Sequence, residues 1–94
     1  MNENENEKRK LFTQLADAFI DVANSKCETQ DKAMVASAFL YGAARFCSFV
    51  VAAEAGTLDK YEADRDAAMD YFSSEFKRMF GEHLDDYKGI FTVN

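Results

Sequence analysis

Apolar residues recur at spacings of three and four along most of this chain, and that pattern predicts three helices. The first covers about 7–26. Leu11, Phe12, Leu15, Ala16, Phe19, Val22 and Ala23 share one face, with Lys10, Gln14, Asp17 and Asp21 on the other. The pattern lapses over 25–31, where Thr29 and Asp31 each offer an oxygen to cap the next helix.

The second helix covers about 31–55 and is closed by Gly56, a residue suited to a left-handed C-cap. Val35, Phe39, Ala43, Phe46, Cys47 and Val50 form a strongly apolar side. The opposite side carries Met34, Ser37, Tyr41, Ala44, Arg45, Ser48, Phe49 and Ala52, with a single charge among them. A helix that is apolar or small nearly all round is expected to be buried nearly all round.

The third helix covers about 60–88. Asp59 and Glu62 have capping-box spacing at its start. Tyr61, Arg65, Ala68, Met69, Phe72, Phe76, Met79, Phe80, His83, Tyr87 and Ile90 keep one stripe in phase through Gly81. One continuous helix is therefore expected, with a break at Gly81 as the alternative. Short connections between three helices predict an all-α, up-down-up three-helix bundle. Residues 1–6, alternating Asn and Glu, read as a disordered lead-in to a single helical domain over 7–94.

Composition narrows the function. The chain has 94 residues, 11 Lys+Arg, 17 Asp+Glu and one His, for a formal net charge of −6. Residues 31–55 are neutral, whereas 56–94 carry −4, so the acidity lies on the outer helices. This charge excludes direct nucleic-acid binding by bulk positive charge. A stretch as apolar as 33–53 could be taken for a membrane span, but Arg45 near its centre and its many alanines favour a buried soluble helix. The start has neither the apolar core nor the cleavage site of a signal peptide, so a cytoplasmic protein with reduced Cys27 and Cys47 is expected.

The reactive groups for an enzyme are scarce. One His and two Cys make neither a zinc site nor a diiron motif, and the four Gly form no phosphate loop, so no catalytic residue, cofactor or metal is expected. Arg45 is the most informative residue: inside an apolar helix it needs an ion partner, with Asp64, Asp66 and Glu75 as candidates, or a stack between Tyr41 and Phe49. The structural reading is a buried pair that sets helix register or a dimer. The functional reading is an anion pocket lined by Tyr41, Arg45, Phe49 and His83. Helices one and three can cover two flanks of helix two, which leaves its small-residue side. That side, Ser37, Tyr41, Ala44, Arg45, Ser48 and Ala52, is expected to meet a second copy across a two-fold axis.

The runs 19–24 with Cys27, 35–46 with Phe49 and Val50, Tyr71-Phe72 with Met79, and 84–87 resemble an uncharacterised bacterial family, domain of unknown function 3144. The resemblance extends from about 12 to 91, and Ala44-Arg45-Phe46 and Leu84-Asp85-Asp86-Tyr87 are its most specific parts. It implies a small all-helical cytosolic protein and no mechanism. His83, Gly81 and the Asn/Glu lead-in depart from the family pattern, which speaks against a catalytic His83. The expected function is a non-enzymatic homodimeric interaction module, with a partner of basic surface. The alternatives are an anionic-ligand binder around Arg45 and an acidic mimic of nucleic acid that inhibits a basic protein.

Overall fold

The computed structural model describes residues 3–91. They form α1 (Glu3–Lys26), α2 (Lys32–Ala55), α3 (Leu58–Tyr87) and a short 3₁₀ helix (Lys88–Phe91), with no strand among them. The chain is all-α, with the three helices expected of a three-helix bundle and in the expected order.

The ends of the helices follow from their caps. α1 begins at Glu3, so four residues assigned to a disordered lead-in are helical; the first two lie outside the described residues. Glu3 and Glu5 in its first turn, and Lys26 in its last, complement the helix dipole. After Lys26 the chain turns tightly: the Gln30 N–H donates to the Lys26 carbonyl at 2.9 Å. Of the two offered caps for α2, Asp31 takes the role, its carboxylate accepting from the Met34 N–H at 3.2 Å. Gly56 has φ 78°, the left-handed conformation expected of it after α2.

The expected cap of α3 is corrected. Thr57, not Asp59, is the N-cap, and its hydroxyl accepts from the Lys60 N–H at 3.2 Å. Asp59 instead sits in the first turn, where its charge meets the positive end of the dipole. α3 runs without a break through Gly81. At its end the Lys88 N–H donates to the carbonyls of both Asp85 and Asp86, and this shared bond tightens the chain into the 3₁₀ turn.

Two compact units divide the chain, residues 1–46 and 47–94. The first holds α1 and the start of α2; the second holds the rest of α2, α3 and the 3₁₀ turn. Ala23, Cys27 and Val35 are half-buried in the first unit, as are Val50, Val51, Tyr61 and Ala68 in the second.

Burial corrects a second expectation. α2 is not enclosed within the chain: Ala55, at 8% exposure, is the sole buried residue among those described. The stripes of α1 and α3 are exposed as well, including Leu11, Phe12, Leu15 and Phe19 on α1 and Met69, Phe76 and Phe80 on α3. The periodicity locates these faces, and they are exposed.

Candidate functional site

The strongly apolar side of α2 is only partly covered: Phe39, Ala43 and Phe46 are exposed, Phe46 at 64%. On the strongly apolar side, Val35, Cys47 and Val50 are half-buried. On the small-residue side, Ser37, Tyr41, Ala44, Arg45, Ser48 and Ala52 are all exposed. Small side chains there let another helix approach closely, and at Gly42 an added Cβ would meet nothing within 4 Å.

Arg45 is exposed and makes no ion pair among the described residues. Its exposure corrects the expectation of burial, and the candidate partners Asp64, Asp66 and Glu75 belong to the other compact unit. Those three carboxylates pair along α3 instead. Lys60 Nζ lies 2.7 Å from Asp64 Oδ2, Arg65 Nη1 lies 3.6 Å from Asp66 Oδ1, and Arg78 Nη2 lies 2.9 Å from Glu75 Oε1. The Lys60–Asp64 and Glu75–Arg78 pairs have the spacings of four and three that meet on one helix face, whereas Arg65 and Asp66 are sequence neighbours in a looser contact.

Arg78 is the centre of the best-developed charge cluster. It bridges Glu75 and, at 3.1 Å, Glu82, one turn to either side. The Arg78 hydrogen bond, then its charge, holds the Glu75 carboxyl below its ordinary value of 4.5. The same bond, with the charges of Glu75 and Glu82, pushes the Arg78 guanidinium further up. This cluster is solvated, and its role is to stitch the polar face of α3. The periodicity of the sequence contains it, but the sequence reading passed over it.

The four residues expected to line an anion pocket are Tyr41, Arg45, Phe49 and His83. All four are exposed, Tyr41 at 70%. Tyr41 and Arg45 belong to the first compact unit, Phe49 and His83 to the second. Cys27 and Cys47 are free thiols, each half-buried. Among the described residues, no three of His, Cys, Asp and Glu are grouped to hold a metal ion.

α2 is also long and apolar enough to cross a membrane, by length and composition alone. The aromatic stripe of α3 is ordered along the helix. Phe76 and Phe80 stack with centroids 5.4 Å apart, and Tyr71 meets Phe72 edge-on at 5.1 Å. What this geometry leaves open among the described residues is apolar surface.

No curated protein and no solved structure matches the chain. One family, described as "Protein of unknown function (DUF3144)", matches residues 12–88, which takes in most of α1, all of α2 and all of α3. The chain therefore belongs to the DUF3144 family of proteins of unknown function.

Proposed function

We propose that this chain is a non-enzymatic helical interaction module that works as a cytoplasmic homodimer. The observation that carries this reading is that Ala55 alone is buried among the described residues, while apolar stripes on all three helices are open. Ordering each residue costs about 1–2 kcal/mol of backbone entropy, which a core of one alanine does not offset. The missing burial comes from a second molecule. A second copy carries the same stripes, and the neutral α2 brings no like-charge repulsion to the contact. The acidic faces left outside suit a partner with a basic surface.

The length and composition of α2 favour a second reading, a membrane-spanning helix. It accounts for less. A span would place Arg45 in the apolar layer, at about 2.5–3.5 kcal/mol.

Light scattering on the full chain at micromolar concentration, with flotation on neutral vesicles alongside, separates the readings. The homodimer gives twice 10.6 kDa and stays with the soluble fraction. A single-chain mass, or flotation that survives high salt, overturns it.

A further inference from the structure

The start of α2 carries a charge pattern that matches its own reverse. Asp31 and Arg45 each lie seven positions from Ala38, on opposite sides of it. Fourteen residues are nearly four helical turns, so the two fall within about 40° of one face and about 21 Å apart. They are the two charges on that face, because Lys32 points to the far side of the helix. Between them lie Met34, Ala38, Tyr41 and Gly42, all exposed, as are Asp31 and Arg45 themselves. Met34 and Gly42 are each four positions from Ala38.

Resting on the homodimer reading above, we propose that α2 meets α2 of a second copy antiparallel, with the two-fold axis at Ala38. Asp31 of each copy then faces Arg45 of the other, twice over. Met34 of each copy fills the space above Gly42 of the other, where nothing stands within 4 Å of a built Cβ. Ala38 meets Ala38, which allows a close approach of the helix axes. Charge complementarity selects this occupant. Arg45 has no ion partner among the described residues, while Asp31 uses one carboxylate oxygen for the Met34 N–H and keeps the other for a guanidinium. An antiparallel pairing supplies both missing partners with one symmetry operation.

Two complementary variants test this, assayed by sedimentation equilibrium on the full chain. Arg45→Asp alone sets acid against acid at both ends of the contact, and Asp31→Arg alone sets base against base. Each is expected to weaken homodimerisation by about tenfold or more. An equimolar mixture of the two is expected to form a heterodimer, since every facing pair is then opposite in sign. The double variant Asp31→Arg/Arg45→Asp is expected to recover the homodimer. The double variant lacks the Asp31 cap in both chains and the mixture lacks it in one, so recovery cannot arise from restored helix capping, and the rescues remain informative where a single variant fails to fold. Unaltered homodimers of both single variants, or no recovery in the mixture and the double variant, overturn the register while a dimeric parent leaves the homodimer reading standing. A monomeric parent overturns both.

Discussion

Phe76 stacks on Phe80 at 5.4 Å between ring centroids, yet the two residues are 48% and 52% exposed. Aromatic rings ordered along one face and left half in water mark a surface awaiting cover. The same holds for Phe12 and Phe19 on α1. An aromatic side chain gains about 1.5–3 kcal/mol on full burial, so a stripe of them is a strong drive to associate.

Replacing Phe76 by Asp therefore tests whether this face is covered in the assembly. At a surface bathed by water the change would be nearly neutral. Within a contact between copies it is expected to cost about 2 kcal/mol or more of assembly stability. Light scattering and helical circular dichroism on the variant read the difference.

Two glycines are expected to respond to alanine with opposite sign. Gly56 has φ 78°, so Gly56→Ala strains the C-cap of α2 and is expected to destabilise by about 1 kcal/mol. Gly81 sits inside α3 with nothing within 4 Å of an added Cβ, so Gly81→Ala is expected to stabilise by up to about 1 kcal/mol. Chemical denaturation of the two variants beside the parent decides both signs.

Thr57→Ala removes the oxygen that accepts from the Lys60 N–H and is expected to cost about 1 kcal/mol, whereas Thr57→Ser keeps the acceptor. Asp59→Asn, one residue into α3, is expected to cost less, because it removes a dipole interaction and not a cap. Thermal melts of the three variants rank them.

The Glu75–Arg78 pair predicts an acid-side dependence of stability. The folded carboxyl lies below its ordinary value of 4.5. Its contribution is therefore complete above that value and is lost as pH falls through the lowered folded one. Glu75→Gln is expected to lower the melting temperature slightly at pH 7, with the gap to the parent closing in acid and in high salt. Equal gaps at neutral and acid pH would count against the pairing.

The three helices were legible because each stripe holds one phase over several turns, as Leu11 to Ala23 and Tyr61 to Tyr87 show. The caps were legible only in kind. Thr57 and Asp59 are both good capping residues two positions apart, and local spacing favoured the wrong one. The helical start at Glu3 was hidden because alternating Asn and Glu has the composition of a lead-in, although acids in a first turn favour the helix. Arg45 carried the largest error. An apolar pattern says that a face leaves water, and it does not say whether the cover lies in the same chain. Its candidate partners Asp64, Asp66 and Glu75 pair with their own neighbours along α3.

The dependence of the thermal midpoint on protein concentration tests the central claim most directly, because it asks whether folding and association are one event. If a second copy completes the core, the helical melt moves to higher temperature as concentration rises, and the folded species has twice the mass of one 10.6 kDa chain. A cooperative melt with the same midpoint from nanomolar to millimolar concentration, by a species of single-chain mass, would contradict it.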